Sequence, residues 1–380
     1  MQKRKIDPIV RLNASTEGQT KCVIFVDEIN KARASLEPYA NTIVGKYPFI
    51  NAFGALLNIH SLSDISKFPC VKAIAPHTTV TTCLKAQNIN LTSSKIVVSD
   101  AFQSQASIAV IDTGLLAHLD FFIPRMRVHF IDFINGQKIC YDDNGHGTAV
   151  SSILCSNGLL SGGVNAGIIP TARLFALKAI GGTGEGGAFA ILEAMQWIFD
   201  NAEKYNIRVV CMSFGSDPVK SGVDPLSSGA EALWKKGIVV VASAGNDGPE
   251  FNTIKSPGIN PYIITVGGAE FKNDEEDYEK ADMATKVKVP DFSSRGPAGN
   301  FSKPDLIAPA VDIVTASICN NYYTSHTGTS MAAPIVAGFC AKLLSENPNY
   351  TPNKVKEVLL NSCIPIQENE FTVGRGLFLP

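Results

Sequence analysis

The sequence lacks the features that mark several specialised classes of protein. It has no uninterrupted apolar run long enough to span a bilayer. Its basic start, MQKRKIDPIV, is followed by neither the apolar core nor the small-residue cleavage site of a secretory signal. Only 18% of the residues are charged and the net charge is −2, which argues against a general nucleic-acid-binding protein. We therefore expect neither a membrane nor a nucleic acid as a partner.

The cysteine pattern argues against both a zinc site and a disulfide framework. The nine cysteines are odd in number and scattered, and no C-x-x-C pair occurs. Several lie in apolar stretches such as VVCMSFG and AGFCAKLL, where cysteine behaves as a small hydrophobic residue. This distribution is typical of a reducing compartment and predicts a cytoplasmic protein.

What the sequence does contain is enough apolar material for one or two soluble domains. The chain has 380 residues, of which 45% are hydrophobic. From residue 107 onward, short β-branched runs alternate with helical segments, and their continuous hydrophobicity indicates strands buried on both faces of a parallel sheet. The predicted strands lie within 107–114, 173–180, 208–215, 237–246 and 262–269, and the helices within 187–206 and 227–237. This alternation predicts a doubly wound α/β fold with a mostly parallel sheet.

The front of the chain has a different pattern. Its predicted helices and strands follow the order β-α-β-β-α-β, an arrangement common in small α+β domains. A polar stretch at 78–94 then indicates a linker. The sequence thus predicts a small domain at 1–84 and a larger one at 85–380.

Three residues with reactive side chains lie in separate glycine-flanked turns: Asp112, His146 and Ser330. Each has a simpler explanation, as a turn aspartate, a loop histidine or a helix-capping serine. However, ligand sites in open parallel sheets form at the carboxyl ends of the strands. There the three residues could act as a proton relay in which serine attacks, histidine takes the proton and aspartate orients the ring.

The blocks around these residues, IAVIDTG, DDNGHGT and TGTSMAAP, resemble the signature blocks of the subtilisin family of serine proteases. They also follow that family's order of Asp, His and Ser. The resemblance continues through SFGS, ASAGNDGP, SPGI, FSSRGP and KPDLIAP, covers about 108 to 348, and is nearest in character to the intracellular bacterial type. It implies a subtilisin-like fold and hydrolysis of peptide bonds through an acyl-enzyme, with no cofactor required for the chemistry.

The resemblance also implies roles for individual residues. Asp112, His146 and Ser330 match the triad, Asn246 matches the side-chain oxyanion donor, and the backbone N–H of Ser330 would be the second donor. A peptide or protein substrate would bind in extended form, as an added strand. The residues implied to line its groove are Gly184, Glu185, Gly186, Ser213, Phe214, Gly215, Ala244, Gly245 and Lys255. The family match also predicts a cis peptide bond between Ser256 and Pro257.

The sequence departs from the family pattern at two places. The usual second histidine after HGT is Ala149 here. The segment CSNGLLSGGVN replaces the loop that binds a strong calcium ion in secreted relatives, and it contains no carboxylate. Asp120 matches one calcium ligand, but Ca²⁺ takes six to eight oxygens. We therefore expect the strong calcium site to be absent.

The front domain resembles the family's inhibitory propeptide, chiefly in the order of its elements and in the closing VKAIAPH. This implies a zymogen whose own N-terminal domain acts as an intramolecular inhibitor and folding chaperone. The implied junction lies near Leu84–Lys85, with Leu84 in the first substrate pocket.

Two questions stay open at the level of sequence. Lys255 stands where the family has a small residue in the first substrate pocket, so it could favour an acidic substrate residue. It could equally be a surface lysine whose stem covers apolar area, and Asp247 could neutralise it.

The alternative to protease activity is a catalytically silent scaffold with a subtilase fold that binds partners. The presence of all three triad residues together with Asn246 argues against that alternative.

Overall fold

The chain begins with a small α+β unit. The computed structural model describes residues 5–83, 106–121, 128–220, 222–271, 286–319 and 322–380. The elements of the first unit are α1 (Pro8–Thr16), β1 (Thr20–Val26), α2 (Ile29–Leu36), β2 (Ile43–Tyr47), β3 (Ala52–Leu57), α3 (Ile59–Lys67) and β4 (Val71–Pro76). This is the predicted β-α-β-β-α-β order with one additional helix in front.

The four strands form an antiparallel sheet in the order β2-β3-β1-β4. Successive residues of a strand point to opposite faces, and both faces of β1 are buried. Cys22 and Ile24 pack with the helices of this unit. Val23 and Phe25 instead join the hydrophobic core of the rest of the chain. The front sheet is thus sandwiched between its own helices and the larger part of the molecule.

The pattern of KARASLEPYANTI predicts one helix over 31–43, whereas the observed helix α2 is shorter. It ends at Leu36, and a 3-10 turn follows at Glu37–Thr42, with Pro38 as its second residue. Strand β2, which comes next, has alternating half-buried and exposed residues up to Tyr47 and therefore carries little hydrophobic signal. These two features explain why the sequence predicts two strands between the two helices but does not locate the first of them, β2.

An eight-stranded, mostly parallel sheet forms the centre of the molecule, which confirms the predicted fold class. Its strands are β6 (Ser107–Asp112), β7 (Val128–Asp132), β8 (Arg173–Lys178), β10 (Ile207–Met212), β12 (Val239–Ser243), β13 (Ile264–Phe271), β14 (Val287–Lys288) and β15 (Leu306–Pro309). The order is β14-β13-β12-β10-β6-β8-β7, with β15 also paired to β13. Only the β13–β14 pairing is antiparallel among the described pairs of this sheet. The half-buried edge strand β7 was not predicted.

Six helices accompany this sheet among the described residues. They are α4 (His146–Cys155), α5 (Ala188–Tyr205), α6 (Pro225–Lys235), α7 (Thr329–Glu346), α8 (Pro352–Asn361) and α9 (Glu370–Val373). Helix α7 packs against α4 and against β10, β12 and β13, and most of its residues are buried. Helices α5 and α6 pack on each other and meet the front unit. In the described part of the chain, no helix is both long and apolar enough to cross a bilayer.

Two small sheets complete the described structure. Strands β16 (Ile313–Ala316) and β17 (Tyr323–His326) form an antiparallel pair. In the other small sheet, β5 (Thr79–Thr82) lies between β9 (Glu185–Gly187) and β11 (Phe214–Gly215). Strand β5 therefore follows the front sheet in sequence but pairs with elements of the larger part.

Candidate active site

The fold brings Asp112, His146 and Ser330 to neighbouring element ends. Asp112 is the last residue of β6, His146 the first of α4 and Ser330 the second of α7. All three side chains are buried, with at most 1% of each residue exposed. Helix α4 packs against both β6 and α7, and ligand sites of open parallel sheets form at the carboxyl ends of the strands.

Asp112 orients the imidazole ring of His146. Its Oδ1 lies 2.6 Å from His146 Nδ1 and also accepts the Thr113 backbone N–H at 2.7 Å. A carboxylate at Nδ1 keeps the proton on that nitrogen and leaves Nε2 as the basic atom. His146 Nε2 has no hydrogen-bond partner within the described part of the chain. The pair therefore presents a buried base.

The turn that carries His146 is held by Asp142, a residue that sequence reasoning did not select. Its Oδ1 accepts the Gly145 N–H at 2.9 Å, and its Oδ2 accepts the Thr148 N–H at 2.9 Å and hydroxyl at 2.7 Å. The same carboxylate accepts the Thr113 hydroxyl at 2.9 Å, next to Asp112. The position of Asp142 in DDNGHGT, at the start of a glycine turn before a helix, is the signal that could have identified it.

The hydroxyl of Ser330 points at a carbonyl oxygen of the chain itself. Ser330 Oγ donates to the backbone oxygen of Cys83 at 2.6 Å. Asn246 Nδ2 donates to the same oxygen, also at 2.6 Å. Asn246 is fixed in this orientation because its Oδ1 accepts the Thr329 N–H and hydroxyl, each at 3.0 Å. The predicted nucleophile and the predicted oxyanion donor thus bind one carbonyl group.

Gly328 allows this close approach. A methyl group on its Cα would lie 2.3 Å from the Cys83 oxygen, and its φ of +148° is one that residues with side chains rarely adopt. Gly328 is the residue directly before α7. A side chain there would displace the carbonyl from Ser330 and Asn246.

Residues 79–83 lie where an extended substrate was expected. Strand β5 runs antiparallel to both β9 and β11, with Val80 opposite Gly186 and Thr82 opposite Phe214. The Thr82 N–H donates to the Gly184 oxygen at 3.0 Å, and the Cys83 N–H donates to the Ser213 oxygen at 3.4 Å. Backbone hydrogen bonds of this kind recognise a strand independently of its side chains. The groove between 184–187 and 213–215 is thus occupied by the chain's own segment.

The remaining predicted groove residues lie beside Cys83. The Lys255 N–H donates to the buried Ala244 oxygen at 2.9 Å, and Gly245 has a φ of +109°. Burial raises the pKa of the Cys83 thiol to about 11, more than the Ser243 hydroxyl and the Lys255 charge lower it. The cysteine at this position is therefore an uncharged thiol.

Lys255 does not extend freely into the pocket. Its Nζ forms ion pairs with Asp247 and, at 2.6 Å, with Asp217 Oδ1. The ion pair with Asp247 was anticipated from the sequence, whereas the one with Asp217 was not. The Ser256–Pro257 peptide bond next to it is cis, as predicted. Leu84 and Lys85, the predicted junction, lie outside the described residues.

The carboxylate of Asp120 is bonded to groups of the protein. Its Oδ1 accepts the Leu160 N–H at 2.9 Å and its Oδ2 accepts the Tyr323 hydroxyl at 2.5 Å. Leu160 belongs to the segment that replaces the calcium loop. Among the described residues, no group of three or more His, Cys, Asp or Glu side chains converges in a way that could hold a metal ion.

Comparison with known proteins agrees with this geometry. The family model described as Peptidase_S8, Subtilase family, matches residues 103–376. The chain is similar to serine protease AprX of Bacillus subtilis, with 37% identity over 276 residues, which are 67% of this chain and 60% of AprX. A thermostable alkaline protease of Halalkalibacterium halodurans is 28% identical over 371 residues, covering 96% of this chain and 91% of that protein.

A solved structure shares the fold. Sphericase superimposes with a TM-score of 0.62 and 26% sequence identity, covering 73% of this chain and 93% of its own. The matched family segment includes Asp112, His146, Asn246 and Ser330. With a family model over most of its length and relatives named as proteases, the chain belongs to the subtilase family of serine proteases.

Proposed function

We propose that this protein is a serine endopeptidase that hydrolyses peptide bonds through an acyl-enzyme formed on Ser330. The observation that carries the proposal is the Cys83 carbonyl, which Ser330 Oγ and Asn246 Nδ2 both bind at 2.6 Å. A carbonyl held between a hydroxyl and an amide donor is in the position of a scissile bond awaiting attack.

In the proposed reaction, Ser330 Oγ attacks the carbonyl carbon while its proton passes to His146 Nε2. Asp112 holds the ring and stabilises the imidazolium that forms. The carbonyl oxygen becomes an alkoxide, which the amide of Asn246 stabilises. The C–N bond then breaks as His146 returns the proton to the leaving amine. Water, activated by the same histidine, hydrolyses the resulting ester and regenerates the Ser330 hydroxyl.

We further propose that the front unit inhibits the enzyme intramolecularly until it is removed. Strand β5 fills the groove, and the body of the unit rests on α5 and α6. The Phe49 N–H donates to Gln196 Oε1 at 3.1 Å, and the Phe49 and Phe199 rings lie 5.8 Å apart. Because the inhibitor and the enzyme are one chain, the groove is occupied at an effective concentration far above that of a free peptide.

A fluorophosphonate probe tests the proposed activity. The processed wild-type protein is expected to form an adduct on Ser330 and to cleave peptides, whereas Ser330→Ala does neither. His146→Ala should lose a similar share of the activity, because the members of the relay act as one unit. A processed protein that forms no adduct and cleaves no peptide would favour the scaffold alternative.

We also propose that the protein works in the cytoplasm. All nine cysteines lie among the described residues and are unpaired, which supports a reducing compartment. Fractionation of cells that produce the full chain tests this, and recovery of the protein outside the cells would contradict it.

A further inference from the structure

The pocket that receives the Cys83 side chain is closed by the stem of Lys255. A methyl group on Gly215 would lie 2.5 Å from Lys255 Cβ and 3.7 Å from Cys83 Sγ. A methyl group on Gly245 would lie 2.6 Å from Lys255 Cγ. The lysine stem is thus packed between two glycine backbones beside the thiol, and Cys83 is only 6% exposed. A side chain longer than that of Cys83 would therefore meet the Lys255 stem.

The far end of Lys255 is held in place. Its ammonium binds both Asp217 and Asp247, and the Lys255 side chain is only 17% exposed. Burial lowers the pKa of Lys255, but the two carboxylates raise it more, so the group stays charged. The Lys255 ammonium and its two carboxylate partners together carry one net negative charge. The Lys255 ammonium is therefore already paired and is not free to bind an incoming substrate.

We propose that Lys255 determines specificity by making the first substrate pocket short and unfavourable to acidic side chains. On this reading the enzyme cleaves after small uncharged residues, and the precursor is cut on the carboxyl side of Cys83. The proposal rests on the protease function proposed above. It replaces both the acidic preference and the junction after Leu84 that were considered from the sequence alone.

We expect small residues to be preferred over large ones before the scissile bond, because a large residue must displace the Lys255 side chain. Phe or Leu at the position of Cys83 would have to push the Lys255 stem from between the glycines and separate its ammonium from the two carboxylates. Asp217 is 88% exposed and Asp247 55% exposed, so solvent screens both ion pairs and they oppose this displacement only weakly. The tight packing of the stem contributes more to the preference for small residues, since a single methylene in a tight pocket can change selectivity by about tenfold or more. A glutamate would add a third carboxylate to the two already present.

The first test compares peptides that differ only in the residue before the scissile bond. Wild type is expected to cleave after Cys, Ala or Ser with kcat/KM about tenfold or more above Phe, Leu or Glu. Lys255→Ala should gain activity after Phe and Leu, whereas Lys354→Ala, which removes an exposed lysine paired with Glu357, should keep the wild-type order. Faster cleavage after Phe, Leu or Glu by wild type would overturn the proposal.

N-terminal sequencing should show that the processed protein begins at Leu84, and a start at Lys85 would also overturn the proposal.

The second test does not depend on catalysis. In full-length Ser330→Ala, hydrogen exchange of the Thr82 N–H, which is bonded to Gly184, reports whether the segment is docked. Cys83→Ala should keep the protection, Cys83→Phe should lose it, and Lys255→Ala combined with Cys83→Phe should restore it. Equal protection in Cys83→Phe and in the parent would refute the short pocket. If no peptide is cleaved in the first test, the protease function fails, and this comparison still decides the shape of the pocket.

Discussion

At the scale of single residues, Ser213 connects the substrate to the nucleophile. Its backbone oxygen accepts the Cys83 N–H at 3.4 Å, and its hydroxyl donates to the Ser330 oxygen at 3.0 Å. That oxygen would normally accept an N–H from four residues further along the helix, but the residue there is Pro334, which has none. The proline in α7 therefore leaves a carbonyl free, and Ser213 satisfies it.

Replacing Ser213 by alanine should weaken catalysis more than substrate binding. Ser213→Ala keeps the backbone oxygen that binds substrate but leaves the buried Ser330 carbonyl without a donor, at a cost of about 1–3 kcal/mol. We expect a lower melting temperature, a lower kcat and a nearly unchanged KM on a peptide with Ala before the scissile bond. Ser151→Ala is a matched control, because the Ser151 hydroxyl is buried without a partner within the described part. A rise in KM alone would show that Ser213 acts only as part of the groove wall.

At the scale of elements, the segment after α4 is held by hydrogen bonds within the chain. The Asn157 N–H donates to the Asp120 backbone oxygen at 3.0 Å, while Leu160 and Tyr323 bind the Asp120 carboxylate. The carboxylate is completely buried. Both of its oxygens thus have donors from the protein, which is how a loop without acidic residues of its own can hold its shape.

Chelation should therefore leave the stability unchanged, whereas loss of Asp120 should lower it. We expect EDTA to leave the melting temperature of full-length Ser330→Ala as it is. Asp120→Ala removes the carboxylate that accepts the Tyr323 hydroxyl and the Leu160 N–H, and it should cost about 2–3 kcal/mol in the free energy of unfolding. Differential scanning calorimetry measures both effects. A drop of many degrees on adding EDTA to full-length Ser330→Ala would reveal a strong cation site.

The elements predicted well from the sequence are those with a continuous apolar pattern. Strands β6, β8, β10, β12 and β13 are buried on both faces, so most of their residues are apolar. Strands β2 and β7 have half-buried residues, and for them the local pattern does not specify a strand. An apolar pattern indicates which residues are buried, and in this sheet it predicted a strand only where both faces of the strand are buried.

The candidate site could be predicted in part for a related reason. Asp112, His146, Asn246 and Ser330 each lie in a short block whose glycines and polar residues are adjacent in sequence. Asp217 is 38 residues from Lys255, and the two side chains meet only in the folded chain. Likewise, the polar segment before residue 84 has no pattern that sets its register, so the sequence could not show that Cys83 faces Ser330. Pairings between distant segments depend on the fold and not on the local sequence.

At the scale of the whole molecule, His77 lies where the front unit meets the larger part. Its ring packs edge-on against Phe189, with the ring centroids 4.3 Å apart. A methyl group on Gly187, the last residue of β9, would lie 2.7 Å from His77 Nε2. Burial, reinforced by the charge of Lys21, lowers the pKa of His77 to about 4. His77 is thus neutral when the front unit is docked near neutral pH.

Acid should therefore loosen the front unit. When the unit separates, His77 becomes exposed and its pKa returns toward about 6.5. The separated state then binds more protons than the docked state between about pH 4 and 6.5, so docking is strongest above this window and weakens as the pH falls through it. The contribution of His77 reaches about 3 kcal/mol at most, since one pKa unit corresponds to about 1.4 kcal/mol.

Hydrogen exchange of the Thr82 N–H in full-length Ser330→Ala measures this docking, after correction for the intrinsic pH dependence of exchange. Protection should fall between pH 6.5 and pH 4 in the parent and change much less in His77→Phe, which keeps an aromatic ring against Phe189 without a titratable group. His60→Phe, which replaces an exposed histidine of α3, should behave like the parent.

A second buried histidine, His326, is present in all three proteins. Burial lowers its pKa to about 4, with a further contribution from the charge of His146. The difference between the parent and His77→Phe therefore isolates His77, and equal pH dependence in the two would show that another group controls the release of the front unit.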